Sequence, residues 1–485
     1  MFRSLPLLTD FGEKGKKAYL NDSDHWPNAR QVSLIPAFIR RRIAHRPQLF
    51  KIIDNIGWLF LDNFLRMGAG LLVGVWIGRY LGPEQFGLLN YATAFVGLFS
   101  AFAALGLQSI VVRDIVRQPE TTELTLGSAA VLQLVGGLVA YLLISCSIAL
   151  LRPNDTQARI VVAILAGTML FKACDIAVYW FESQVQSKYT VWVQNGVFIV
   201  VTVIKVGLIL GHAPLTAFVW ATLAEAALVG LALLAVMTKF GHGPTKLRAT
   251  VARAKGLLID SWPLILSAMA VSVYMKIDQI MLGQILGDEA VGIYSAAVRI
   301  SEVWYFIPMA IAASVFPSIL EAKKRSEAEY IATLQRLYDL MVAISVAVAL
   351  PMTFLATPIA GFLFGESYLK AGPVLAIHIW GSIFIFLGVV SGQWFLAENR
   401  QILALKRTII GAAANIGLNI FLIPRFQEIG AAAATVIAQA MAAFLSDALQ
   451  RETHGMFFMK AKSLLIVSFF GRSASYFGRR NTPKN

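Results

Sequence analysis

Ten ionisable side chains interrupt long apolar stretches of the sequence, and their chemistry stands out from the rest of the chain. A charge at the centre of a lipid bilayer costs about 2.5–3.5 kcal/mol, so such a side chain must face protein or a water-filled cavity. Arg and Lys in a cavity bind anionic groups such as phosphates, whereas Asp and Glu can neutralise them or carry protons. The ten are Asp62, Arg66, Lys172, Asp175, Lys205, Glu225, Lys276, Asp278, Arg299 and Glu302.

Six of these residues have the i, i+3 or i, i+4 spacing that lets side chains meet on one helix face. The pairs are Asp62 with Arg66, Lys172 with Asp175, and Arg299 with Glu302. Each pair could line a cavity or merely lock helices together, and the sequence leaves both interpretations open. Lys276 and Asp278 point in different directions, and Lys205 has no local partner, which favours a cavity position. All ten except Glu225 are candidate residues of a substrate cavity.

The composition indicates the elements that must position these charges. Only 14% of the 485 residues are charged, 57% are hydrophobic, and the mean hydropathy is +0.66. A soluble domain carries roughly 25% charged residues, so the chain is predicted to be an all-α, polytopic membrane protein. Its 42 Lys+Arg exceed its 28 Asp+Glu. In a membrane protein this excess mostly records orientation, so no nucleic-acid partner is expected.

Motifs for catalysis or for a bound metal are missing from the sequence. Cys146 and Cys174 lie in apolar runs, the six histidines form no ligand pair, and no G-x-x-x-x-G-K-[ST] phosphate loop occurs. We therefore expect a transporter and not an enzyme, with no catalytic residue, no metal site and no cofactor other than possible coupling to H⁺ or Na⁺.

Apolar segments long enough to cross a bilayer occur twelve times. The predicted spans are 56–78, 86–107, 127–150, 159–181, 190–210, 214–237, 257–283, 290–318, 338–357, 373–396, 404–424 and 429–449. The loops between them alternate sharply in charge, since one set carries 31 Lys+Arg and the other carries five. Basic loops stay in the cytoplasm, so both termini are predicted to be cytoplasmic. The external loops are short and leave no room for a catalytic domain.

An internal repeat at an offset of 205 residues divides the spans into two halves. The turn Gly82-Pro83-Glu84-Gln85-Phe86-Gly87 after span 1 matches Gly287-Asp288-Glu289-Ala290-Val291-Gly292 after span 7. Each half then has six spans, and because six is even the halves are parallel. The predicted organisation is an N-terminal half at 56–237, a basic cytoplasmic linker at 238–256 and a C-terminal half at 257–449, with a central cavity between the halves.

The two ends of the chain are polar or basic. Residues 1–30 are predicted to be a disordered cytoplasmic segment, and residues 31–55 a basic amphipathic segment on anionic lipid. Residues 450–485 form a basic cytoplasmic tail.

The turn motif and a second-half string resemble a known family. The string runs from Asp278 to Gly283 and continues as Val291-Gly292-Ile293-Tyr294-Ser295-Ala296-Ala297-Val298-Arg299-Ile300-Ser301-Glu302, ending at Phe316-Pro317. Together they resemble the polysaccharide repeat-unit flippases of the multidrug/oligosaccharidyl-lipid/polysaccharide exporter superfamily. The resemblance covers roughly residues 50–450. The departure from the family is the N-terminus, where about 50 residues precede the first span.

This resemblance implies a MATE-like fold and a flippase for cell-surface polysaccharide biosynthesis in the bacterial inner membrane. The implied cargo is an undecaprenyl-diphosphate-type lipid-linked oligosaccharide, moved to the outer leaflet by alternating access. Membrane lipids and a polysaccharide polymerase with its chain-length machinery are the expected partners. Two alternatives stay open: a cation-coupled multidrug exporter of the same superfamily, and a non-transporting scaffold of a polysaccharide assembly complex.

Overall fold

A computed structural model describes residues 47–465 except Asn399, with side chains from Gly68 onward. All regular secondary structure in this part of the chain is helical. A helix satisfies its own backbone hydrogen bonds, which lipid cannot do. The chain divides into two units, Met1–Trp58 and Leu59–Asn485. In the first unit, residues 47–58 are helical. Residues 1–30, most of the predicted interfacial segment and residues 466–485 lie outside the described part.

Eight helices cover the N-terminal half. They are α1 (Pro47–Leu98), α2 (Ser100–Ala104), α3 (Leu107–Arg117), α4 (Thr122–Leu151), α5 (Thr156–Ala166), α6 (Ile176–Ser183), α7 (Ser187–Leu210) and α8 (Leu215–Lys239). A 3₁₀ stretch, Gly167–Asp175, joins α5 to α6 in the middle of predicted span 4.

Eight more helices complete the described chain. They are α9 (Val251–Ile285), α10 (Asp288–Glu302), α11 (Phe306–Arg325), α12 (Glu327–Phe364), α13 (Ala371–His378), α14 (Gly381–Ala397), α15 (Gln401–Ala443) and α16 (His454–Leu464). The last of these lies in the predicted cytoplasmic tail.

Two equivalent glycines interrupt the helices at the internal repeat. Gly82 breaks α1 with φ 74° and ψ 170°, and Gly287 precedes α10 with φ 90° and ψ −178°. Glycine is the residue that adopts this region at little cost, because it has no Cβ. Positions 205 residues apart therefore share one backbone conformation as well as one sequence motif.

The helices are long and apolar enough for a multi-pass membrane protein. Within the described residues, nine helical stretches could each span a membrane, or ten when a pair bent by 44° near Phe99 is counted as one. The breaks at Gly82 in α1 and at Gln427 in α15 each divide a long helix at a boundary between two predicted spans. The all-α fold is confirmed. The count of twelve spans in two parallel halves stays a prediction with which these breaks agree.

Helix α9 begins six residues earlier than predicted, inside the expected linker. The Thr250 hydroxyl caps it by accepting a hydrogen bond from the Arg253 amide at 3.3 Å. Ion pairs then hold its first turns to the N-terminal half, since Arg253 lies 2.9 Å from Asp114 and Arg113 lies 2.7 Å from Asp260. Helix α9 thus belongs to the C-terminal half by sequence but is attached at its start to the other half.

Among the described residues, buried apolar side chains form one core shared by the halves, two clusters that belong mainly to one half, and a small cluster of Phe395, Leu403 and Met456. The shared core surrounds the repeated turns and joins Val75, Phe86 and Tyr91 to Val291 and Phe364. A second cluster draws its buried members from residues 107–257, and a third from residues 319–390. The core shared by both halves therefore lies at the end of the molecule that carries the turns. We call this end the turn end, and the opposite end, which carries the linker 238–256, the linker end.

Candidate functional site

Asp278 is the most deeply buried of the predicted charges whose side chains the structure describes. Its side chain is buried, and its carboxylate accepts hydrogen bonds from the Gln279 amide at 2.8 Å, from the Tyr294 hydroxyl and from the Thr435 hydroxyl at 3.4 Å. Helices α9, α10 and α15 each contribute one of these side chains, so three elements hold the acid in place. Burial of a carboxylate is tolerated when several donors satisfy it.

The other three candidates of the C-terminal half are Lys276, Arg299 and Glu302, and Glu302 links them to Asp278. Glu302 lies within electrostatic range of Lys276, Asp278 and Arg299. The structure thus brings four of the nine candidates into one group, which we call the C-half cluster. Lys276 and Asp278 are two residues apart on α9, and Arg299 and Glu302 are three apart on α10.

Arg299 does not form the ion pair with Glu302 that the i, i+3 spacing predicts. Among the described residues it has no carboxylate partner within 4 Å; its guanidinium carbon instead lies 5.4 Å from the centre of the Phe86 ring. The side chain also rests on the bare backbone of α1, because a Cβ on Gly74 would come within 1.5 Å of Arg299 Nη1. The arginine therefore extends from the C-terminal half onto the N-terminal half.

The candidates of the N-terminal half form two separate ion pairs. Lys172 and Asp175 are 3.1 Å apart within the 3₁₀ stretch, as their spacing predicts, and both are about one-third exposed. Lys205, expected to have no local partner, lies 2.9 Å from Glu225 of the adjacent helix α8. The missing partner was on the next span, which spacing along one helix cannot reveal.

The remaining two candidates, Asp62 and Arg66, lie on α1. Their side chains are outside the described part of the chain, so their predicted pairing stays a prediction.

The two copies of the repeated turn pack reciprocally against each other. A Cβ on Gly87 would lie 1.7 Å from the Asp288 carbonyl oxygen, and a Cβ on Gly292 would lie 1.9 Å from the Pro83 carbonyl oxygen. Each glycine of the repeat therefore gives the backbone of the opposite half room to approach. We call this contact the turn interface.

Arg152 reinforces the turn interface and was not singled out by the sequence. It lies 2.8 Å from Asp288, donates to the Gly283 carbonyl at 2.7 Å, and stacks 4.0 Å above the Tyr91 ring. Its one visible signal was indirect, since it is among the five basic residues on the otherwise base-poor side. The partner Asp288 belongs to the repeated turn itself.

Two aromatic residues complete this end of the molecule. The Tyr368 hydroxyl donates to the Gly78 carbonyl at 2.7 Å, and a Cβ on Gly78 would come within 2.9 Å of the Phe364 ring. The spacing of Gly74 and Gly78 therefore serves close packing, as small residues at i, i+4 often do in membranes. At Gly70 the neighbouring space is open.

The bases of the C-half cluster are not paired with carboxylates in the way that the lysines of the N-terminal half are. Asp175 and Glu225 are neutralised by lysines, whereas Asp278 is held by hydroxyl and amide donors. The cluster holds two bases and two acids, so its formal charges cancel, but within the described residues neither Lys276 nor Arg299 has a carboxylate within 4 Å. A guanidinium in this position offers paired donors to a planar or tetrahedral anion.

The sequence profile of the family "Polysaccharide biosynthesis protein" matches residues 52–323, and the MatE profile matches residues 263–421. The chain therefore belongs to the polysaccharide biosynthesis protein family. The resemblance inferred from the turn motif and the second-half string is thereby confirmed.

Relatives and solved structures agree with this assignment. The chain is 24% identical over 393 residues to the "probable low-salt glycan biosynthesis flippase Agl15" of Haloferax volcanii, covering 79% of this chain and 80% of the relative. It is 20% identical to the capsular polysaccharide biosynthesis protein CapF of Staphylococcus aureus, covering 81% and 97%.

Among solved structures, the lipid II flippase MurJ in an inward closed conformation has a TM-score of 0.67 at 15% identity, covering 88% of this chain and 94% of MurJ. An inward-facing MATE family multidrug transporter has a TM-score of 0.66 at 15% identity, covering 83% and 96%. The fold is that of the superfamily named by the resemblance, and these neighbours are transporters, not enzymes.

Proposed function

We propose that the chain is a flippase that moves an undecaprenyl-diphosphate-type lipid-linked oligosaccharide from the cytoplasmic to the outer leaflet for cell-surface polysaccharide biosynthesis. The observation that carries the proposal is Arg299, a cation that reaches from one half onto the other and has no ion pair among the described residues. Family membership and the name of the Agl15 relative support the class of cargo.

The chemistry of such a cargo fits the C-half cluster. A diphosphate headgroup is doubly anionic, and its sugars carry hydroxyls that each lose roughly 2–7 kcal/mol when buried without a partner. A polar path is therefore needed for the headgroup, while the lipid tail stays in the bilayer. Arg299 binds the diphosphate in bidentate fashion, and Lys276 adds a second positive charge.

Alternating access gives the turn interface its role. The base-poor loops, which include residues 79–85 and 284–289, lie outside the cytoplasm if Lys and Arg accumulate inside. The shared core at the turn end then closes the outer side, and the separate clusters of the linker end leave the inner side as the place where cargo enters. Rocking of the halves would exchange these two arrangements.

Coupling to H⁺ or Na⁺ is assigned to Asp278 in this proposal. The carboxylate is buried among the hydroxyls of Tyr294 and Thr435, and oxygen ligands of this kind suit a hard cation or a proton. Replacement by Asn would remove the ion dependence of transport and leave cargo binding in place.

The inner membrane of a bacterium, with both termini in the cytoplasm, is the proposed location. Lipid-linked oligosaccharide and membrane lipids are the proposed partners, and a polysaccharide polymerase with its chain-length machinery would act on the flipped product. No nucleic acid is involved in this proposal.

Substitutions at Arg299 test the proposal. We expect Arg299→Lys to impair export of surface polysaccharide although the charge is kept, because Lys lacks the bidentate fork. Arg299→Ala is expected to impair it further at a similar membrane level of protein. Both quantities are measured in a strain lacking the native gene, together with the double variant Arg299→Ala/Glu302→Ala. Full export from that double variant would contradict a role in cargo binding.

The multidrug exporter of the same superfamily remains the second candidate, because the MatE profile matches residues 263–421. A cavity for cationic drugs should present free acids. Here three of the four described acids among the ten charges are engaged, namely Asp175, Glu225 and Asp278. Drug resistance that is conferred by the chain and lost in Asp278→Asn, with polysaccharide export unchanged, would favour the exporter.

A further inference from the structure

A second arginine with few partners lies at the linker end of the C-terminal half. Arg407 Nη1 is buried and has no hydrogen-bond acceptor among the described residues. Its Nη2 lies 3.5 Å from the Gly388 carbonyl, at the outer limit of a hydrogen bond, and its guanidinium carbon lies 5.2 Å from the centre of the Phe395 ring. A guanidinium carries five N–H donors, so most of its donor capacity is unused within this part of the chain.

Asp447, the acid whose charge acts on Arg407, is already paired with another base. Lys460 of α16 is fully buried, donates to the Ala443 carbonyl at 2.6 Å and pairs with Asp447. The pKa of Lys460 is lowered to about 8, mainly by burial; Asp447 opposes this lowering, and the charge of Arg407 adds to it. Arg407 is thus close enough to interact electrostatically with this pair. We call Arg407, Lys460 and Asp447 the Arg407 cluster; with two bases and one acid, it carries one excess positive charge.

Arg152 shows how a largely buried arginine of this chain can be satisfied by protein groups. Arg152 has a carboxylate, a carbonyl and an aromatic ring as partners. A buried cation without a counter-charge is costly, so the excess charge of the Arg407 cluster indicates that an anion belongs there.

The position of Arg407 suits the headgroup level of a membrane. It is six residues into α15, which begins at Gln401, and a helix rises about 1.5 Å per residue. The residue therefore lies roughly 9 Å from the start of the helix, on the side that the loop charges assign to the cytoplasm.

We propose that Arg407 is the centre of a phosphate-binding site at the cytoplasmic end of the C-terminal half. Two sources share this chemistry: the diphosphate of an incoming lipid-linked cargo and the phosphate of an anionic membrane lipid. The first source rests on the proposed function, whereas the site itself does not. Either anion accepts two parallel N–H bonds from the guanidinium and neutralises the excess charge of the cluster.

Binding of inorganic diphosphate to the full chain tests the site. The chain is purified into nanodiscs of neutral phosphatidylcholine, and diphosphate affinity is measured by calorimetry. Arg407→Gln should weaken one binding event by roughly 10- to 100-fold, the loss of hydrogen bonds to a charged group. Lys406→Gln, a change at the exposed neighbouring residue, is the matched control and should leave affinity within about twofold, as expected for a surface charge. Arg407→Lys keeps the charge and should still weaken binding, because the bidentate fork is lost.

Two further measurements distinguish a membrane lipid from the cargo as the source of the phosphate, and distinguish both from a purely structural role of Arg407. If a membrane lipid occupies the site, nanodiscs with phosphatidylglycerol should compete with diphosphate in the wild type, and copurified anionic lipid should fall in Arg407→Gln. If the cargo occupies it, diphosphate binding should be independent of phosphatidylglycerol. A structural role would instead lower the melting temperature of Arg407→Gln, whereas removal of an unpaired cation should leave it equal or higher.

Unchanged diphosphate affinity and unchanged lipid content in both Arg407 variants would overturn the proposal, as would destabilisation of Arg407→Gln without any loss of binding. The site and the transport function can fail separately. Diphosphate binding that depends on Arg407, in a chain that moves no lipid-linked oligosaccharide, would reject the proposed function and keep the phosphate site.

Discussion

Arg299 occupies its position because residue 74 has no side chain. An alanine there would place its Cβ within 1.5 Å of Arg299 Nη1, so the flexible end of the arginine would have to move away from α1. We expect Gly74→Ala to reduce polysaccharide export while the protein stays folded and abundant. Gly70→Ala is the matched control, since among the described residues no atom lies within 4 Å of a Cβ added there. Equal export from both alanine variants would show that the contact between Arg299 and α1 is not needed for export.

Lys460 predicts a particular pH dependence of stability. Its pKa is lowered by burial to about 8 from an ordinary value of 10.5. Between these two values the unfolded chain binds more protons at this residue than the folded chain, so its contribution to stability rises with pH. Melting temperatures in detergent from pH 7.5 to 10 should therefore rise more steeply, or fall less steeply, in the wild type than in Lys460→Met. The same slope in both proteins would contradict the burial of this lysine.

The positions of the site charges could be read from the sequence, but most of their partners could not. Ionisable residues in apolar stretches identified the members of the C-half cluster, because lipid forces such residues to face protein or water. Spacing along a helix also gave the Lys172–Asp175 pair correctly. It missed Lys205–Glu225 and the hydroxyls around Asp278, since those partners come from neighbouring helices. It was wrong for Arg299 and Glu302, because burial against Gly74 and Phe86 draws the arginine away.

At the scale of elements, the two repeated turns hold the halves together through the turn interface. Gly82 and Gly287 share a backbone conformation, while Gly87 and Gly292 admit the backbone of the opposite turn. The repeat was visible in the sequence, and it fixed where the halves meet. The reciprocal packing was not visible, because a motif reports its own conformation and not the surface on which it packs.

The ion pair between Arg152 and Asp288 should keep the turn interface closed. We expect Arg152→Glu to open the turn interface, because two carboxylates would then face each other with side chains only 10–15% exposed. In a background with Cys146 and Cys174 replaced, a cysteine at the buried position Val291 should react at least about tenfold faster with an impermeant thiol reagent added outside, a change equivalent to about 1.4 kcal/mol.

The charge exchange Arg152→Glu/Asp288→Arg is the control for this experiment. It restores opposite charges and should restore protection of the cysteine at position 291. Rapid labelling in both the single variant and the exchanged pair would mean that the ion pair does not set the closed state.

At the scale of the whole molecule, charge alternation predicts an orientation that can be measured directly. The 31 to 5 division of Lys+Arg between alternate loops places residues 250 and 455 in the cytoplasm. Reporter fusions at both positions should give cytoplasmic signals. A periplasmic signal at either one would require a different number of spans and would remove the reason for placing the turn interface outside.

The central claim is that the chain itself moves a lipid-linked oligosaccharide across the membrane. Purified protein is reconstituted into vesicles that contain a labelled undecaprenyl-diphosphate oligosaccharide in both leaflets, and a membrane-impermeant glycosidase is added outside. We predict that wild-type protein makes the inner-leaflet pool available to the enzyme over time. Arg299→Ala vesicles should expose little beyond the outer-leaflet pool, and Arg299→Lys vesicles an intermediate amount. Wild-type vesicles in which the inner pool stays protected, with the protein folded and an ion gradient applied in either direction, would contradict the claim.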